Sequence, residues 1–248
     1  MRYLGVDGCK AGWLAAGRKG PDLSEESAEN RIKVQLYSDI EKLWQDNPGA
    51  RLILIDMPLG LKETGPEERR CDREARSRLD KFKSSIFPVP CRQALKAESW
   101  EEANEINKRV RDKGLSKQSW HIAAKIAELD DFLASHPRAE NIMRESHPEL
   151  AFWALNRGSE MEHKKHEEAG LKERKKLLEE YIPSASQLAE KAAEEFSGSR
   201  VGSDDILDAL ALLAAALEGQ QKDLVSLPAV AEYDPRGLRM EIVHPPLC

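Results

Sequence analysis

Short apolar runs that end in an acid open the chain. Tyr3 to Asp7 and Trp13 to Gly17 read as strands on either side of the turn Gly8-Cys9-Lys10-Ala11-Gly12, whose glycines suit dihedrals that other residues avoid. A polar loop follows, and Ile32 to Tyr37 then alternates as a half-buried strand. Ser38 or Asp39 caps a short amphipathic helix carrying Ile40, Leu43 and Trp44, which Asn47-Pro48-Gly49 stops. Leu52-Ile53-Leu54-Ile55 is apolar throughout, as expected of a central strand covered on both faces. Antiparallel-type strands, a helix and a buried parallel-type strand predict a mixed α/β sheet rather than a purely doubly wound one.

From Lys62 to Pro137 the pattern is helical and charged, broken by Ser84-Ser85-Ile86-Phe87-Pro88-Val89-Pro90-Cys91, whose prolines exclude a central strand. Trp120 to Leu133 reads as an amphipathic helix with Ile122, Ile126, Leu129 and Leu133 on one side. Asn141 to Glu145 is the next strand, and Glu160 to Tyr181 a polar helical excursion into solvent. Asp204 to Glu218 is the most apolar helix and the one expected to pack on the sheet. Arg239 to Val243 is a last strand before His244-Pro245-Pro246.

At 248 residues and 40% hydrophobic content, the chain suits one large globular domain, or a domain with a sizeable insertion. No run approaches the roughly 18 apolar residues of a membrane span, and Met1-Arg2-Tyr3-Leu4 enters a strand without a signal peptide, which together predict a cytoplasmic protein with no membrane partner. Cys9, Cys71, Cys91 and Cys248 show no metal-ligand spacing and read as reduced thiols. His163 and His166 stand in a charged run that reads as a solvated helix face rather than a zinc site. A net charge of -6 argues against a protein that blankets phosphates with cations, although basic residues outnumber acids between Arg69 and Arg92.

Four acidic stretches sit at the ends of these elements: Gly5-Val6-Asp7-Gly8, Leu54-Ile55-Asp56-Met57-Pro58, Arg144 to Glu149, and Ser203 to Asp208. An isolated anion is costly to desolvate, so several carboxylates there call for a hard, oxygen-seeking cation such as Mg²⁺. Convergent carboxylates that hold two such ions about 3.5–4 Å apart are the apparatus of phosphodiester cleavage. Asp7 and Asp56 stand side by side if their strands are neighbours, and Glu145 arrives from the next strand. Asp205 and Asp208 share a helical face, with Asp204 and Asp208 the alternative pair. Taken singly, each acid has a structural explanation: helix-opening acids cap free amides, Asp7-Gly8 initiates a turn, and Asp56 accepts from loop amides. Asp208 resists that explanation because it lies inside the apolar register of its helix.

At these residues the chain resembles a mainly prokaryotic family known as domain of unknown function 429, labelled as predicted nucleases with a ribonuclease H-like fold. The resemblance is carried by Gly5 to Trp13, Ile55 to Leu61, Arg70 to Arg76, Ser85 to Pro90, Leu115 to Trp120, Glu145 to Glu149 and Asp204 to Ala209, in family order. It implies a ribonuclease H-like mixed sheet, three antiparallel strands and then parallel ones, flanked by helices, in one domain over 1–248. Asp7 is then the first-strand acid, Asp56 the fourth-strand acid, and Asp205 or Asp208 the acid of the closing helix. Glu145 and Glu149 are additional candidates. The stretch 62–137 departs from ordinary ribonucleases of this fold and reads as a helical lid carrying Asp72, Arg73, Lys117 and Gln118. Arg73, Arg92 and Lys117 are its candidate phosphate ligands, and Gln118 a reader of a polar group. His147 before Pro148 is a candidate acid or base, with a capping role equally open. Trp13, Trp120 and Trp153 read as packing.

The function expected is a Mg²⁺- or Mn²⁺-dependent nuclease or phosphodiesterase acting on nucleic acid or a phosphorylated small molecule, with Asp7, Asp56, Asp205 and Asp208 as metal ligands. One alternative is a nucleotide-binding phosphotransferase of the actin and sugar-kinase type, in which Asp7-Gly8-Cys9-Lys10-Ala11-Gly12 would face phosphates. The other is a non-catalytic binding protein that keeps the fold.

Overall fold

A computed structural model describes residues 1–19 and 32–247; the expected polar loop over 20–31 and Cys248 lie outside the described residues. Strands β1 (Tyr3–Cys9), β2 (Gly12–Arg18) and β3 (Ile32–Tyr37) pair antiparallel in succession. β4 (Leu52–Asp56) lies parallel to β1, and β5 (Met143–Glu145) parallel to β4. The result is one mixed sheet in the order β3-β2-β1-β4-β5. The first hairpin is tighter than its glycine pattern suggested, since Cys9 pairs with Gly12 and only Lys10 and Ala11 remain between. Gly12 holds a φ of 148°, and a Cβ there would stand 2.1 Å from the Tyr37 carbonyl oxygen, so glycine is required. Helix α1 (Ile40–Asp46) is capped by Asp39, which accepts from the Lys42 amide at 2.7 Å.

Alternation along the strands divides the core in two. Leu4, Val6, Ile53, Ile55 and Met143 join α1 and α5 (Ala123–Ser135) on one face. Tyr3, Cys9 and Leu54 face the other way, toward α9 (Ser203–Lys222). Around that helix pack α6 (Pro148–Leu155), α7 (Glu168–Glu179) and α8 (Ala185–Glu195), so α9 is enclosed along Ile206 to Ala216 and can be apolar all round. It also lies unusually deep on β1. A Cβ built at Gly5 would sit 2.1 Å from the Leu213 amide nitrogen and 2.3 Å from the Ala209 carbonyl oxygen.

Several expected elements are corrected. The single helix read over Trp120 to Leu133 is two, α4 (Lys117–His121) and α5, parted at Ile122, because the apolar rhythm runs on through a turn that periodicity does not register. The strand before His147 is shorter than expected, since Ala139–Asn141 forms a 3-10 turn. The excursion over 160–181 is helical only in α7, and it buries Arg174, Leu177 and Leu178 instead of standing in solvent. His163 and His166 accordingly lie in a loop, not on a helix face. The closing strand, β7 (Arg239–His244), pairs with an unforeseen β6 (Val225–Tyr233) in a separate two-stranded ribbon against α2 (Arg70–Arg78). Within 62–137, α3 (Trp100–Arg111) and α4 lie outside the sheet layers, whereas α5 is a core layer in its own right. Among the described residues no helix is long and apolar enough to cross a membrane.

Gly5→Ala forces α9 off the sheet, because the atoms it meets are backbone and cannot rotate away. Unfolding in urea is expected to show a loss of about 3 kcal/mol.

Candidate active site

Parallel pairing of β1 with β4 places Asp7 directly beside Asp56, both on the α9 face two residues beyond Gly5 and Leu54. The two carboxyls are close enough to shift each other's titration. Two buried carboxylates side by side repel, which favours the protonated form. Burial, then the Asp56 charge, raises the Asp7 carboxyl well above the usual carboxylate range. Burial and the nearby Asp208 push Asp56 up to about 7. Asp208, one turn into α9, is 1% exposed and reaches the same place because Gly5 admits the helix.

A cation stands among these acids. Lys165, in the loop before α7, puts its Nζ 2.6 Å from Asp208 Oδ2 and 3.4 Å from Asp204 Oδ2. Burial works against its charge, but Asp208 more than offsets this and raises its pKa. Asp208 Oδ1 is buried with no hydrogen-bond partner. Asp205 acts as a helix cap, accepting the Gly202 amide at 2.8 Å. Burial raises the Asp205 carboxyl as well.

The donor set suits a hard divalent ion: every candidate atom is a carboxylate oxygen, Asp208 Oδ1 is orphaned, and the raised Asp7 and Asp56 carboxyls hold protons an ion would displace. Among the described residues no three His, Cys, Asp or Glu side chains are already gathered closely enough to hold one. Asp208 is turned to Lys165 instead.

The other expected site residues divide. Glu145 pairs in register with Ile55, so it faces away from Asp7, and its carboxylate is bound by Arg69 at 2.6 and 2.8 Å. Glu149 is neutralised by buried Arg174 at 2.8 and 3.0 Å. Arg92 is not drawn to the acids: Asp130, Asp234 and Glu63 engage all three of its guanidinium nitrogens, so its charge is already answered by carboxylates. Arg73 is exposed on α2, outside the cavity described next. Lys117 is exposed with its ammonium 5.3 Å from the centre of the Trp100 ring. His147 caps α6 by accepting the Glu149 amide at 3.2 Å, and its ring also bonds the Ser85 backbone. Burial lowers its pKa, which keeps the ring neutral.

Gln118 and His147 do border the acids, across a cavity of about 360 Å³ that also touches Asp56, Asp208 and Lys165. Ser84, Ser85, Ile86, Phe87 and Val89 also line it. Just before that segment the Glu160 carboxylate accepts the amides of Asp80, Lys81 and Phe82 at 2.8, 3.0 and 3.0 Å. Sequence reasoning missed Lys165, which sits in a charged run with nothing local to mark it; its partners are contributed by α9.

The family model described as a protein of unknown function (DUF429) matches residues 5–233. No curated protein and no solved structure matches the chain.

Asp7 and Asp56 have folded pKa values above the ordinary 3.8, so the stability they contribute is complete below 3.8 and is lost as pH rises through about 7. Asp7→Asn keeps a donor for Asp56 without the repulsion. Thermal and urea unfolding are expected to show this variant more stable than wild type by about 1–3 kcal/mol at alkaline pH, with the gain vanishing in acid.

Proposed function

The chain belongs to the DUF429 family, and from the meeting of its acids we propose that it is a metal-dependent phosphodiesterase or nuclease of the ribonuclease H-like type. The observation that carries this reading is the in-register pair Asp7 and Asp56, joined by Asp208 from the last long helix. The strand order β3-β2-β1-β4-β5, antiparallel across the first three and parallel from β1 to β5, supports the fold assignment.

Asp7, Asp56 and Asp208 would hold Mg²⁺ or Mn²⁺, with Asp204 or Asp205 at the helix start in support. Such an ion supplies Lewis acidity toward a phosphoryl oxygen and toward water. The chain's own residues set the conditions. The raised Asp7 and Asp56 carboxyls have to lose their proton for the pair to carry its full charge, and Asp208 is paired with the Lys165 ammonium in the meantime. In the reaction a water oxygen bonds to phosphorus, the ester P–O bond breaks, and the leaving oxygen takes up a proton. The phosphotransferase alternative has less support, because the turn meant to face phosphates is closed to two residues between Cys9 and Gly12.

Wild type with Mn²⁺ is expected to hydrolyse phosphodiesters and Asp7→Asn to lose at least about 100-fold in kcat. Isothermal titration with Mn²⁺ should show proton release at pH values below about 7. Equal hydrolysis by the two proteins, or Mn²⁺ binding that is indifferent to Asp7→Asn, would remove the reading.

A further inference from the structure

The space beside the acids is small and of mixed character. Its volume of about 360 Å³ falls at the low end for cavities that enclose a small molecule, roughly 300–1,000 Å³. Asp56, Asp208 and Lys165 bring charge to its wall, as do the Arg69 pairs with Asp72 and Glu145 and the paired Glu149. Phe87, Val89 and Ile122 bring aromatic and aliphatic carbon. Among the lining groups, the Gln118 amide has no hydrogen-bond partner among the described residues, so one polar reader stands beside the carbon surface.

Charge limits the substrate further. Arg69, the arginine of this cavity, has its guanidinium committed to Asp72, Glu145 and the Gly60 carbonyl. A polynucleotide lying across the site needs a track of free cations and several stacking faces. The cavity offers one lysine, Lys165, beside Asp208, and Phe87 as the aromatic ring of its apolar lining.

Resting on the phosphodiesterase reading above, we propose that the site takes a small phosphodiester of mononucleotide size carrying a flat ring, and not a duplex. Its phosphate lies over Asp56 and Asp208 beside Lys165, its ring lies against Phe87 and Val89, and Gln118 bonds the ring's polar edge. The 83–122 part of the insertion is then a substrate enclosure that excludes long chains from the acids.

The test compares Mn²⁺-dependent hydrolysis of the p-nitrophenyl ester of thymidine 5′-phosphate with that of long single-stranded RNA, single-stranded DNA and an RNA–DNA hybrid. The proteins are wild type, Asp7→Asn and Gln118→Trp, the last placing a bulky ring at the exposed rim without touching the core. The expected result is cleavage of the small ester that Asp7→Asn abolishes and Gln118→Trp lowers by about tenfold or more in kcat/KM, with the polymers cut poorly. Internal cleavage of the polymers as efficient as that of the ester, or an ester reaction indifferent to Gln118→Trp, overturns the substrate class and leaves the phosphodiesterase reading standing. No hydrolysis of any of the four by wild type overturns both.

Discussion

Contact between the backbone of α9 and the backbone of β1 governs this molecule. It exists because residue 5 has no side chain: any Cβ there would overlap the helix at Leu213 and Ala209. That one missing atom lets the helix lie flat on the sheet, sets its depth, and carries Asp208 to the height of Asp7 and Asp56. Strand register does the rest. A shift of one residue between β1 and β4 would send one of the two acids to the opposite face.

Several other buried acids are paired with arginines. Glu145 and Asp72 share Arg69, Glu149 has Arg174, Asp130 and Asp234 share Arg92, and Glu241 has Arg144. Removing either member of such a pair leaves an uncompensated ion, so each pair holds one arrangement of its elements. In the Asp7, Asp56 and Asp208 group the one cation is an exchangeable lysine rather than a buried arginine fork, and the strand-end carboxyls titrate above their ordinary range. Clusters of buried acids with raised pKa values are common at functional sites.

The sheet was legible because its strands are short apolar runs bounded by acids and turns, and because burial on both faces leaves β4 no polar position before Asp56. The convergence of Asp7, Asp56 and Asp208 was legible for the same reason, since each ends or interrupts an apolar element. What escaped were facts of partnership. Nothing in the letters around Arg92 separates an arginine clasped by three acids from one waiting for a phosphate, and Lys165 meets acids about forty positions away. Ribbon strand β6 was missed because it is half exposed and contains Pro228, the composition of a loop. Glu145 was assigned to the acid group by order along the chain, and strand alternation turned it the other way.

Glu160 joins two pieces that the chain keeps far apart. By clasping the amides at 80–82 it sews the stretch that leads to Ser84 and Phe87 onto the connection that carries Lys165, so one carboxylate anchors two segments that both contribute to the cavity wall.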